Sequence, residues 1–429
     1  MPTTSTDPAF DLHDPTLPGR LHRAFDELRE HDPVHAIGEG RWLLTRYDDV
    51  AAILKDRTRC GTDIHAVRGY DETRPFGAGS DLERVQEGLL INLPDADHKR
   101  VRSAFTKPFT RHSVEAEVTS LVESIVDELF DALPTDGDAE VDWVQAVAGP
   151  LPGRVFQALF GLPEDDLDRL LTLLHQDTVA IDVLLSPSLV SAAHVAEAAD
   201  AFLQLRRELD ALARSRQGGD GGDLLTFLVD QHDAGRLSWD DVLTQAMEAL
   251  AAGTSTTMTL LAGMVEAFAE HPDQWDLLRA DASLVRPAVE EALRWVSPAL
   301  AMGRVATVDF ALHGVTIRAG DVIQCGVLPA NRDPRVFDDP HAFDLRRAER
   351  PRPDGAKGAP GQAGAAHVAF GGGVHVCLGA HVARLEARVV LERLLERYAR
   401  ITVDPAGKAL HPTLLIRTYA RLPVTLHAA

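Results

Sequence analysis

The stretch Phe370-Gly371-Gly372-Gly373-Val374-His375-Val376-Cys377-Leu378-Gly379 constrains this chain more than any other, because it sets one cysteine in a glycine-rich loop that runs into an amphipathic helix. After Cys377, apolar residues fall at Leu378, Val382, Leu385, Val389 and Leu394, a three-to-four spacing that turns one helical stripe inward. The cysteine is thereby expected at a helix N-terminus. Unpaired N–H groups and the positive end of the helix dipole favour an anion there, so the thiol should lose its proton easily and bind a metal. Gly371, Gly373 and Gly379 are expected to supply positive φ and close approach, letting backbone N–H groups point at the sulfur. A lone cysteine is more often a small buried hydrophobe. The glycines match neither the dinucleotide fingerprint, which needs a preceding strand and a later acid, nor the phosphate loop, which needs Gly-Lys-Ser/Thr. The informative pattern is the joint one, Phe-Gly-x-Gly-x-His-x-Cys-x-Gly in a single register.

A chain of 429 residues can bury a large core, and without an internal repeat or a break in composition it reads as one domain over 1–429. Residues 1–18 read as a loose N-terminal extension, and the Pro-, Gly- and Ala-rich residues 350–365 as a flexible insertion before the cysteine loop. The 45% hydrophobic and 25% charged content is that of a globular protein, not a disordered or membrane one. The start, Met-Pro-Thr-Thr-Ser-Thr-Asp, has no basic region and no apolar segment of signal or spanning length, so a cytoplasmic protein is expected. Only Cys60, Cys325 and Cys377 occur, too few and too odd a number for a disulfide scaffold. The net charge of −22 argues against nonspecific binding to nucleic acid or anionic membrane. Against that background the basic run Lys99, Arg100, Arg102, Lys107 and Arg111, with no acid before Glu115, reads either as a solvated helix face or as a docking patch for an acidic partner.

Helical periodicity dominates from about Val114 to Trp295, with starts at Pro163-Glu-Asp-Asp, Ser238-Trp-Asp-Asp and His271-Pro-Asp. Strands are short. A hairpin is expected over Val34–Ile37 and Trp42–Thr45, further strands between Val305 and Val327, and a last group from Leu414 to Leu426. Residues 61–90 lack clean periodicity and are expected to form a long loop covering a pocket, and Gln217 to Asp223 a mobile turn. The fold class is mainly α with small β-sheets.

The cysteine loop closely resembles the haem-binding loop of the cytochromes P-450, and the resemblance extends over essentially the whole chain. It implies a helical prism enclosing a haem b between a distal helix at about 240–270 and the Cys377 loop and helix, with Cys377 as the iron ligand and Phe370 and Gly379 as part of the haem-binding loop. Glu291-Ala-Leu-Arg294 is similar to the family's Glu-x-x-Arg, a structural charge network; Arg304 and Asn331-Arg-Asp-Pro334 follow in family order. A haem's propionates need cationic or hydrogen-bonding partners. By the same resemblance these are His98 and Arg102, one turn apart, with Arg304 and His375.

Ala251-Ala252-Gly253-Thr254-Ser255-Thr256-Thr257 resembles the oxygen-binding groove of that family, with Ala252 leaving room beside the haem and Thr256 in the place of the threonine that steadies oxygen and its waters. The acid that usually precedes this threonine is replaced by Ser255, which cannot act as a carboxylate shuttle. Positions 248, 252 and 256 share a helical row, so Glu248 is expected to face the same cavity and to compensate for the missing acid or anchor a polar substrate. The resemblance implies dioxygen as co-substrate, electrons from a ferredoxin- or flavodoxin-type donor docking near Lys99, Arg100, Lys107 and Arg111, and oxidation of a mostly apolar natural product or small peptide. The 61–90 loop, Val179–Val190, Ala299–Met302 and Leu415–Ile416 are the expected substrate contacts. A haem-thiolate oxidase that couples rings, desaturates or uses peroxide is the alternative, and a haem sensor without turnover a more distant one.

Overall fold

The protein is described by a computed structural model covering residues 17–73, 76, 79–134, 138–163, 192–350, 367–411 and 415–428. Its longest helix shows how local sequence sets the elements. Ser238 caps the N-terminus of Trp239–Glu270 by accepting from Asp241 N, while the Asp241 carboxylate accepts from Ser238 N. This reciprocal box satisfies two donors a helix start leaves unpaired. Most of the helix is buried, and Gly253 is required for that. A Cβ there would lie 2.2 Å from the Phe156 ring.

The chain forms two compact units, Met1–Thr73 with Leu293–Cys377, and Arg74–Ala292 with Leu378–Ala429. In the first, a five-stranded sheet runs in the order Val34–Gly38, Arg41–Leu44, Val322–Gly326, Ala301–Ala306, Cys60–Gly61. Leu44 pairs with Cys325 in parallel register, and Met302 with Cys325 in antiparallel register. Leu44, Val50, Ile53, Ile317, Ile323 and Phe337 form its core. In the second, helices Thr119–Asp131, Pro150–Leu159, Ala192–Arg216 and Ala380–Arg397 accompany the long helix, with a three-stranded sheet of Asp138–Asp142, Pro423–Ala428 and Tyr398–Val403. Trp275 Nε1 donates to Ala399 O at 2.9 Å and ties the Pro272–Ala280 helix to that sheet.

The expected hairpin, the turn at 217–223 and the helix starts at Ser238 and His271 are all present. Three expectations change. Residues 61–90 are no long loop, since they hold a short helical turn at Ile64–Ala66 and helices Tyr70–Thr73 and Asp81–Gly88, the last capped by Ser80. The helical span from Val114 to Trp295 is broken by the strand Asp138–Asp142. The extension expected over 1–18 gives way to helix at Leu17. Residues 1–16 of that extension, the 164–166 acids that follow Pro163 in the expected helix start, Val179–Val190, Leu414 and all of the 350–365 insertion except Arg350 lie outside the described residues.

Candidate active site

The cysteine loop takes its shape from backbone demands. Gly371 and Gly373 sit at φ 71° and 68°, in the left-handed region that disfavours side chains. A Cβ on Gly373 would also lie 3.0 Å from Leu54 O and 3.1 Å from Lys55 Cα, both rigid backbone atoms. Gly371 N donates to Val368 O and Cys377 N to Phe370 O, each at 2.9 Å, so the loop closes on itself and brings the cysteine back beside its own start. Gly379 differs from expectation. Its φ is −74°, so it serves as the residue before the Ala380 helix start without a positive φ. Cys377 precedes that start by three positions, beyond a short turn at Gly373–His375.

Three cysteines give an internal comparison. Cys60 and Cys325 are buried, and loss of water pushes their thiols up to about 11 and about 12. Cys377 alone is exposed. In the same unit Arg304 is 8% exposed, with main-chain carbonyls as its partners, Gly303 O at 2.8 Å and Leu54 O at 3.3 Å. Burial lowers its pKa, and no carboxylate among the described residues offsets its charge. Phe370 and His375 are half-buried on the loop. Arg294, 2% exposed, donates to Asn331 O, Pro340 O and Ala342 O, all at 2.9 Å, holding the segment after the Val327–Ala330 turn. Glu291, on the same Val285–Val296 helix, is buried as well.

In the other unit, the middle of the Trp239–Glu270 helix is buried except along one stripe. Glu248, Ala249, Gly253 and Thr256 are half-open and Ala252 is exposed. The row expected at 248, 252 and 256 is therefore a real open face. Thr256 Oγ1 donates to Ala252 O at 2.7 Å; Thr254 and Thr259 bond back one turn in the same way, so exposure, not this bond, sets Thr256 apart. Ser255 is buried at 5% and lies off the stripe. Glu248 Oε2 accepts from Leu90 N at 2.6 Å. His98 is buried and Arg102 half-buried on the Asp95–Phe105 helix.

The basic run divides. Arg100 is committed to Asp241 at 2.8 Å and to Asp97 at 3.4 Å, and Arg111 to Glu115 at 2.8 Å. Lys99 and Lys107 are exposed and reach no acid among the described residues. One residue was missed. Glu386 is wholly buried with both carboxylate oxygens unpartnered, and burial pushes it up to about 8. The signal was present, because Val382, Leu385, Glu386 and Val389 follow the core spacing of a helix and one of them is an acid.

Comparison with known proteins agrees with the architecture. The family model for cytochrome P450 matches residues 70–413. Nocardicin C N-oxygenase of Nocardia uniformis subsp. tsuyamanensis is 34% identical over 94% of this chain and 95% of its own. The cytochrome P450 monooxygenase PikC of Streptomyces venezuelae is 33% identical over 98% of this chain and 95% of its own. Among solved structures, CalO2 superposes with a TM-score of 0.83 at 26% identity, covering 97% of this chain and 98% of that one. Fold and relatives together define an oxidoreductase of the monooxygenase class. The chain belongs to the cytochrome P450 family, which implies a haem-iron cofactor and the use of oxygen. No described helix is long and apolar enough to cross a membrane.

The residues fit that cofactor on two observations. A buried guanidinium without a carboxylate counter-charge suits a ligand carboxylate, and the one exposed thiol stands on a loop whose backbone leaves it accessible.

Proposed function

We propose that the protein is a monooxygenase holding haem b through the Cys377 thiolate, with Arg304, His375, His98 and Arg102 about the propionates and Phe370 and Gly379 as parts of the haem-binding loop. Electrons come from a ferredoxin- or flavodoxin-type donor, and the substrate is a mostly apolar natural product. When bound, a thiolate-ligated haem supplies oxygen activation and the oxidation of otherwise unreactive C–H or π bonds. The protein side of the chemistry is positioning and proton handling. Because Thr256 Oγ1 gives its only hydrogen to Ala252 O, it offers lone pairs alone to the open face. A water on that face would direct one proton at Thr256 Oγ1 and keep the other free for transfer. Ala252, with a single methyl one turn away, keeps the space beside it clear.

The observation that carries this reading is the contrast among the cysteines, one exposed and two buried with raised pKa. The test is the carbon monoxide difference spectrum of the reduced protein. A thiolate-type band in the wild type that is lost in Cys377→Ser supports the reading; an unchanged spectrum in the variant refutes it.

A second reading, oxidative coupling or desaturation without oxygen insertion, is favoured by one observation. Ser255 replaces the acid and is packed away from the open stripe. Product mass separates the two, since coupling loses two hydrogens and hydroxylation gains one oxygen. Donor docking rests on Lys99 and Lys107, with Arg111 beside them and Arg100 occupied in anchoring the long helix. Lys107→Glu should slow reduction by the partner and flatten its salt dependence, whereas an unchanged rate at low salt would move the docking site elsewhere.

A further inference from the structure

Glu248 has a charge that the chemistry above does not use. It is half-open on the stripe, and the protein around it strips much of its carboxyl's hydration. Its Oε2 accepts from Leu90 N at 2.6 Å, and Ile91 N–H also acts on it. No cation does. Charged groups on the elements packed against its helix, among them Glu83, Arg84 and Glu87 on Asp81–Gly88, Arg154 on Pro150–Leu159, Arg206, Arg207, Glu208 and Asp210 on Ala192–Arg216, Asp230 on Leu224–Asp233, Glu386 on Ala380–Arg397 and Arg400 on Tyr398–Val403, exert no resolved charge on it. Loss of water raises its carboxyl to about 7 against the pull of the two N–H donors. A carboxylate in this state costs energy to ionise alone and is completed by an incoming cation. The remaining stripe, Ala249, Ala252 and Gly253, has small apolar surfaces and no side-chain acceptors. Such a wall suits an alkylated ammonium, which needs one counter-charge and methyl contacts, better than a guanidinium, which needs several acceptors.

We propose that Glu248 is a specificity-determining residue that anchors the basic amine of the substrate, while the apolar remainder runs along Ala249 and Ala252 towards Thr256. Eight residues of helix separate the two ends, so the amine and the oxidised position lie roughly 12 Å apart at 1.5 Å per residue. The statement about the far end rests on the monooxygenase reading. The anchor itself is a binding claim and is tested without turnover.

The test is calorimetric titration of the haem-containing protein with n-decyltrimethylammonium and with 1-decanol, in wild type and Glu248→Gln, at pH 8 and pH 6. Glutamine keeps a carbonyl for Leu90 N–H, so the local fold is retained while the charge is removed. The quaternary ammonium neither titrates nor ligates iron, and any pH dependence therefore belongs to the protein. The wild type should prefer the cation by about tenfold or more at pH 8. That preference should fall about tenfold at pH 6, where a carboxyl titrating near 7 is mostly neutral. In Glu248→Gln the preference and its pH dependence should vanish, with decanol binding and the carbon monoxide spectrum unchanged. A wild type without preference for the cation, a preference that survives in the variant, or an equal loss for both probes overturns the proposal. A missing thiolate band would instead count against the monooxygenase reading, with the anchor still measurable.

Discussion

The Cys377 loop and the open stripe of the Trp239–Glu270 helix are built by opposite means. The loop depends on backbone states that only glycine reaches cheaply, at Gly371 and Gly373, and its cysteine is presented by a single chain trace. The stripe lies on regular helix, where almost any residue could stand at 248, 249, 252 or 256 without changing the backbone. The loop thus constrains which cofactor the chain takes, and the stripe leaves substrate and proton handling to individual side chains. A glycine replaced in the loop should cost structure; a side chain replaced on the stripe should cost selectivity or rate.

The largest effect expected on that contrast is at the sulfur. Cys377→Ser should lower turnover by more than about 10³-fold with the protein still folded, as checked by product formation and circular dichroism. Next is Glu386, the buried acid on the core face of the helix that follows the loop. Its folded pKa lies near 8, above the ordinary 4.5, so the native state keeps a proton that the unfolded chain releases. The stability tied to that proton is complete below about pH 4.5 and is lost as pH rises through 8. Denaturant titrations should show Glu386→Gln gaining on the wild type by on the order of 2–4 kcal/mol between pH 5 and pH 9. A constant difference would mean that the carboxyl finds a partner. Gly373→Ala should follow, at about 1–3 kcal/mol from the left-handed φ and the Leu54 carbonyl, read as a lower Tm and weaker haem retention. The smallest is Thr256→Val, which should leave stability and haem binding unchanged and lower product formed per electron consumed by about tenfold. If Gly373→Ala leaves Tm and haem retention untouched while Thr256→Val unfolds the protein, the contrast between the two regions is wrong.

Much of this was legible in the sequence because the governing signals are local. Ser238 with Asp241 marked a helix start, Gly38 to Gly40 a hairpin turn, and the register of the cysteine motif its loop. What escaped depended on distance or on weak periodicity. The Asp81–Gly88 helix buries Leu82 and Val85 as its only apolar residues, so its pattern dissolves into the surrounding Gly, Pro and charge. Gly379 was expected to need a positive φ, yet nothing local tells a glycine that uses left-handed space from one that does not. Arg100 read as a surface cation because its partner Asp241 is 141 positions away in sequence. Helical period alone put Glu248 in one row with Ala252 and Thr256, but the amides that hold it, from Leu90 and Ile91, could come only from the fold.

The central claim is that the sulfur of Cys377 ligates the haem iron. Iron-edge X-ray absorption of the purified protein tests it directly. The account predicts one sulfur neighbour at the iron in the wild type and none in Cys377→Ser. A first shell of nitrogen and oxygen only in the wild type, or a sulfur that persists in the variant, would contradict it.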